Sequence, residues 1–277
     1  NFFNLSADLV LEIGLTPNRA DAASHWGVAR DIKAVTGLPI QLPSVDSLAI
    51  SQTNLPIEIH IQDKGCARFC GVSMDGIQVK PSPEWLQERL SAIGLRPINN
   101  IVDITNFICH GLGQPMHAYD WHQINGGKLE VKTLAAGTVF KTLDGVERKL
   151  NGEELMICDP KGGMCIAGVF GGAVSGVSDQ TTSIFLESAY FSPDVIRKGS
   201  QVHGLKTDAS FRFERGTDPN MPVYALKQAV ILLQRYAGAK VASEITDSYP
   251  EPKQDVRIPV NFGHINRLIG KVIEPTE

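Results

Sequence analysis

The sequence predicts an α+β fold in which helices and mostly antiparallel strands mix within one central module, flanked by incomplete domains. Three features carry that prediction. The stretch RPINNIVDITNFICHGLGQPMHAYD, Arg96 to Asp120, places apolar residues at helical spacing and then breaks abruptly. From Leu129 to Phe191 helical periodicity gives way to short β-prone runs divided by Asp144-Gly145 and Asn151-Gly152, the marks of antiparallel hairpins. Strands and helices also fail to alternate one for one, as a regular βαβ chain requires.

Taken in order, residues 9–15 are predicted as a strand and TPNRAD as a turn. SHWGVARDIKAVTG follows as a helix that Ser24 caps and Gly37 with Pro39 closes. The chain starts mid-pattern at Asn1 and is expected to be cut from a longer protein. Residues 39–56, rich in Pro, Ser, Asn and Gln, read as a linker with a domain boundary near residue 50. Strands are expected at 57–61 and 67–74, then a helix over 82–93 with Pro83 in its first turn.

The next helix is capped by Asn99 or Asn100, faces a core with Ile101, Ile104 and Ile108, and ends at Gly111, Gly113 and Pro115. Thr105 and Asn106, weak helix formers, sit near its middle, and His117 follows directly on the breaker. Such residues either satisfy buried backbone groups or form the floor of a site. In the strand IFLESAYF, period-2 alternation puts Phe185, Glu187, Ala189 and Phe191 on one face, which leaves a carboxylate among apolar neighbours. A carboxylate there lines a pocket, pairs across the sheet or is partly protonated by desolvation. A long helix over 222–237, stopped by Gly238, carries the core stripe Leu226, Ala229, Val230 and Leu233. Residues 256–277 are expected to give a strand and a short helix around His264 to Ile269.

Composition narrows the function classes. With 277 residues, 43% hydrophobic and 20% charged, the chain has the make-up of a soluble globular protein with a substantial core. Cysteines 66, 70, 109, 158 and 165 are odd in number and contain no CxxC, so neither a disulfide framework nor a zinc ribbon is indicated; a reducing cytoplasm fits. A net charge of −4 argues against a nucleic-acid coat protein, although Arg197, Lys198, Lys206, Arg212 and Arg215 outnumber Asp208 and Glu214 locally by three. A basic face or a solvated, salt-bridged surface accounts equally for that run.

Several motifs fail on inspection. GVFGGAVSGVSD has neither a following Gly-Lys-Ser/Thr nor GxGxxG spacing, so its glycines mark bulges or a close approach rather than a phosphate loop. Ala173 and Val177 occupy the places where a serine elbow around Ser175 needs glycine. No HExxH or compact ligand cluster points to a metal. FRFE at 211–214 resembles the Phe-Arg-x-Glu of a class II synthetase motif, but no glycine-rich third motif follows; it is predicted as a strand with Phe211 and Phe213 inward.

Four longer stretches together carry a stronger resemblance: GLTPNRADAASHWGVARDI, NNIVDITNFICHGLGQPMHAYD, GGMCIAGVFGGAVSGVSDQTTSIFLESAYF and HGLKTDASFRFERGTDP. They resemble the beta subunit of bacterial phenylalanyl-tRNA synthetase, in family order along the whole chain. The resemblance divides the chain into 1–46, part of the first beta-subunit domain, 47–253, the central editing module, and 254–277, the start of the following domain. The oligonucleotide-binding, catalytic-like and anticodon-binding domains of the family have no counterpart here, and aminoacylation in this family belongs to the alpha subunit.

The function implied is hydrolysis of tyrosine wrongly attached to phenylalanine tRNA. An apolar pocket rejects an isostere bearing one extra hydroxyl by only about a hundredfold, so a second site that selects the hydroxyl is needed. Carried over by resemblance, that site falls on Arg96, Thr105, Asn106, His117, Gly171, Glu187, Thr207 and Ala209. Glu187 would bind the tyrosine hydroxyl, and Gly171 and Ala209 would leave room for the ring. Arg96, Thr105, Asn106, His117 and Thr207 would hold the ester, the terminal adenosine and the water, with His117 and Thr207 the candidates for catalysis. No cofactor is implied for this fragment, whereas the complete enzyme would use ATP and magnesium. The implied partners are phenylalanine tRNA and the alpha subunit, in a cytoplasmic heterotetramer of two alpha and two beta chains. The competing expectation is a non-catalytic module that binds tRNA and scaffolds the subunits.

Overall fold

A computed structural model describes residues 9–48 and 54–274. The side chain of Ser24 accepts a hydrogen bond from the N–H of Gly27 and starts helix α1 (His25–Thr36), which Gly37 ends with φ 72°. Strands β1 (Glu58–Ile61) and β2 (Cys66–Asp75) precede helix α2 (Glu84–Ala92), whose N-cap is Pro83. Helix α3 (Asn100–Leu112) is capped by Asn99, which accepts from the N–H groups of Ile101 and Val102. Asn100 has a different task, holding the Gln78 and Tyr236 carbonyls with its amide. Next come β3 (Met116–Asp120), β4 (Lys128–Thr133), β5 (Val139–Lys141), β6 (Glu147–Lys149), β7 (Leu155–Asp159), β8 (Gly162–Ile166), β9 (Phe170–Gly171) and β10 (Ile184–Phe191). The chain closes with α4 (Pro193–His203), α5 (Asp208–Phe213), α6 (Met221–Ala237), β11 (Lys240–Val241), β12 (Thr246–Ser248) and α7 (Phe262–Ile269).

The strands form two five-stranded sheets and a β5–β6 hairpin. The first sheet runs β1–β4–β7–β8–β9 and is antiparallel except for the β1–β4 pair. The second runs β11–β2–β10–β3, with β12 also on β2, and is antiparallel throughout. One apolar core, including Phe69, Tyr119, Val131, Met156, Phe185 and Phe191, lies between the sheets. A second, including Val72, Ile104, Leu186, Leu226 and Leu233, joins the other face of the second sheet to α2, α3 and α6. The second sheet is thus the middle of three layers, and every residue of β10 is buried. Among the described residues no helix is long and apolar enough to cross a membrane.

Three expectations are corrected. Residues 9–15 form no strand: a strand needs a partner edge, and Leu9 and Leu11 remain 82% and 72% exposed. The expected strand after residue 256 is likewise irregular up to α7. FRFE lies at the end of helix α5 and just past it, not in a strand. Thr207 starts that helix by accepting from the N–H of Ser210 while the Ser210 hydroxyl accepts from the N–H of Thr207, a reciprocal cap. Phe213 is consequently buried, edge-on to Phe191 at 5.1 Å between centroids, whereas Phe211 is exposed.

Candidate functional site

The antiparallel pairing of β10 with β3 sets Glu187 directly opposite His117, and its pairing with β2 sets Gly71 on the other side. Gly71 is required there, since a Cβ would stand 2.1 Å from Cζ of Phe185. The Glu187 side chain projects into the core between the sheets and is only 5% exposed. Its Oε2 accepts a hydrogen bond from the Tyr119 hydroxyl at 2.6 Å. Burial pushes the carboxyl up to about 7, against the downward pull of that bond. Burial also pushes the thiols of Cys66 and Cys165 well above their usual range, and the nearby Glu187 charge adds to the effect.

His117 packs its ring edge-on against Tyr119, with centroids 4.4 Å apart. Its Nε2 is buried without a hydrogen-bond partner among the described residues, and burial lowers the imidazole to about 4, so the neutral ring is the form present near neutral pH. A Cβ on Gly171 would come within 3.0 Å of His117 Cε1 and 3.5 Å of Nε2. The glycine therefore leaves space beside the unpaired nitrogen. A neutral imidazole with a free ring nitrogen, facing a carboxyl across one strand pair, can accept a proton from a water or hold an ester oxygen.

Several of the other sequence-predicted residues have partners of their own. Thr207 donates to the Val169 carbonyl at 3.1 Å while capping α5, so its hydroxyl proton is already committed two residues from Gly171. Ala209 packs against the same inter-sheet core. Thr105 donates to the Val102 carbonyl within α3. Asn106 lies beside it, half-buried, on the helix that leads through Gly113 into β3. Arg96 is exposed before α3, and among the described residues no hydrogen bond or ion pair joins it to the others. A cleft of about 500 Å³ opens at Gly172, lined in part by Phe140, Lys141, Lys161, Met164 and Ser175, and includes none of the eight.

Tyr119 escaped the sequence reading although its signal was there. In MHAYD, period 2 puts Tyr119 on the same face as His117. The proposed basic face also shrinks. Arg212 is 7% exposed and is a structural tie, donating to the carbonyls of Ala23 and Asp208 and lying 3.1 Å from Nδ1 of His110. It therefore has no freedom to grip a phosphate in the manner of the motif that FRFE resembles.

A family model described as the B3/4 domain matches residues 65–238, well over half of the chain. The chain belongs to the B3/4 domain family. The matched span runs from just before β2 to just past α6, so all eight candidate residues, together with Tyr119, lie inside the B3/4 domain. Over 279 residues the chain is 52% identical to a phenylalanine–tRNA ligase beta subunit from Bacteroides fragilis, covering 99% of this chain and 34% of that protein. It is 48% identical over 286 residues to the beta subunit so named from Porphyromonas gingivalis, covering 99% and 34%. The beta subunit so named from Bdellovibrio bacteriovorus is 41% identical over 266 residues, covering 95% and 33%. The chain thus spans about a third of the length of the curated relatives it matches. A solved N-terminal fragment of the phenylalanyl-tRNA synthetase beta-subunit from Pyrococcus horikoshii aligns with a TM-score of 0.48 at 15% identity, over 94% of this chain and 72% of that one.

Proposed function

We propose that this B3/4 domain hydrolyses tyrosine mis-attached to phenylalanine tRNA, within a phenylalanine–tRNA ligase beta subunit that works with an alpha subunit in the cytoplasm. The observation that carries the reading is the geometry of Glu187. It is a carboxyl 5% exposed in an apolar core, with Oε2 occupied by Tyr119 and Oε1 without a hydrogen bond among the described residues, opposite an imidazole whose Nε2 is unpaired. A substrate phenol reaching Oε1 makes a hydrogen bond that phenylalanine lacks. His117 and the space beside Gly171 would then serve the ester and its water, with Thr207, Thr105, Asn106 and Ala209 shaping the surround. Arg96, exposed beyond them, would meet the tRNA rather than the amino acid. ATP, magnesium and the arrangement of two alpha with two beta chains belong, in this reading, to the complete ligase.

The test is a pair of deacylation time courses, with tyrosyl- and phenylalanyl-tRNA, on the parent and on Glu187→Ala and Ala209→Trp. The parent is expected to release tyrosine selectively. Glu187→Ala should lose most of that preference, and Ala209→Trp should block tyrosine entry by overpacking. Folded variants that match the parent in both courses would remove these residues from the site. The scaffold reading has its own support in the exposed apolar side chains of Leu9, Leu11, Val35 and Leu38, which lie outside the B3/4 span. A parent that binds tRNA and releases neither amino acid would establish it.

A further inference from the structure

We propose that Tyr119 is a positioning residue for the selection step, its hydroxyl holding Oε2 of Glu187 so that Oε1 alone is presented to an incoming phenol. This role rests on the hydrolytic reading of the same site. Tyr119 is fully buried, and the bond from its hydroxyl to Glu187 is 2.6 Å long. A glutamate side chain turns about three bonds, and among the described residues no other hydrogen bond holds this carboxyl in one orientation. The groups that face it are Tyr119 and His117 from β3, Cys66 from β2 and Cys165 from β8, while Gly71 brings no side chain. None of these is a permanent cation. Among the described residues Tyr119 alone favours the charged carboxyl, and burial opposes it.

The arrangement resembles a two-point clamp with one point already filled. The short bond selects the acceptor form of the carboxyl and aims its second oxygen, while the Tyr119 ring braces His117 at 4.4 Å. One internal residue therefore aligns both the selecting group and the candidate proton acceptor.

The experiment follows Glu187 directly by carbon NMR of glutamate-labelled full chain, with Glu187→Gln assigning the resonance, alongside the two deacylation courses. Tyr119→Phe deletes only the donor. It is expected to move the Glu187 midpoint upward by about one pH unit and to lower the tyrosyl-to-phenylalanyl rate ratio about tenfold at pH 7. In a Glu187→Gln background the same substitution should leave the ratio where Glu187→Gln put it. A folded Tyr119→Phe with an unmoved midpoint, or an equal fall in ratio in both backgrounds, overturns the role. If Tyr119→Phe does not fold, 3-fluorotyrosine in its place keeps the shape with a more acidic hydroxyl and should move the midpoint downward; an unmoved midpoint again overturns the role. A parent that releases neither amino acid overturns the hydrolytic reading and this role with it, whereas a selective parent with an unmoved midpoint overturns this role alone.

Discussion

Gly171 and His117 stand so close that a Cβ on the glycine would lie 3.0 Å from Cε1 of the imidazole, and 2.8 Å from Cδ1 of Leu143. The methyl end of Leu143, 52% exposed, is free to yield, whereas the imidazole is braced against the Tyr119 ring. Gly171→Ala is therefore expected to fold normally, with Leu143 moving aside. Gly171→Val carries two further methyl groups into the imidazole and should reduce tyrosine release by about tenfold or more while melting within a few degrees of the parent. A Val variant that keeps the parental rate would show that the space beside His117 is not used.

Glu187 and His117 carry opposite pH signatures. The folded carboxyl, raised by burial to about 7 from an ordinary 4.5, holds its proton where the unfolded chain has released it. Its contribution to stability is complete below 4.5 and declines as pH rises through 7, by on the order of 3 kcal/mol. The imidazole, lowered by burial from 6.5 to about 4, contributes fully above 6.5 and loses that contribution as pH falls toward 4. Denaturant unfolding at a series of pH values should therefore show Glu187→Gln gaining on the parent between pH 4.5 and 7, and His117→Gln gaining on it in the opposite direction, as pH falls from 6.5 to 4. A flat difference for Glu187→Gln would mean that the carboxyl is better solvated than its surroundings indicate.

Gly71 is expected to be the least replaceable residue of β2. An alanine methyl would meet the tip of the Phe185 ring at 2.1 Å, within the core between the sheets. Gly71→Ala should cost about 1–3 kcal/mol by overpacking. Phe185→Leu in the same chain should return part of that loss, and a single variant as stable as the parent in chemical denaturation would contradict the packing.

Arg212 joins three segments, α5 through Asp208, α3 through His110, and the residues before α1 through Ala23. Arg212→Ala removes those bonds from a buried position and is expected to destabilise the chain by about 2 kcal/mol or more. Limited proteolysis should then cut first before α1, at residues the arginine no longer holds. Unchanged stability together with lost tRNA binding would instead return Arg212 to the surface role.

Much of this architecture was legible because its signals are local. Ser24 and Asn99 cap as their positions foretell, and Gly37, Gly113 and Gly238 end their helices with positive φ. Alternation in IFLESAYF places Glu187 on a core face, as the structure has it. The failures depend on information four to seven residues cannot carry. Residues 9–15 have strand composition but no neighbouring edge, and period 2 over FRFE was overridden by the reciprocal cap between Thr207 and Ser210. The Tyr119 hydroxyl on Glu187 is a contact across 68 residues of sequence, set by register rather than composition. With Oε2 already paired, a phenylalanyl group leaves one oxygen of Glu187 unsatisfied, so the preference expected of the site approaches that of a single charged hydrogen bond, roughly ten- to hundredfold.

β10 is hydrogen-bonded along both edges, to β2 and β3, and covered on both faces. Its central amides should exchange with deuterium only when the whole molecule opens, because no smaller fluctuation frees them. The carboxyl of Glu187 thus hangs from a strand with no free edge. Under the proposed reading, a ligand arriving at such a fixed post would have to do the adapting itself, so recognition would work as a rigid gauge for the visitor's shape rather than a hand that closes around it.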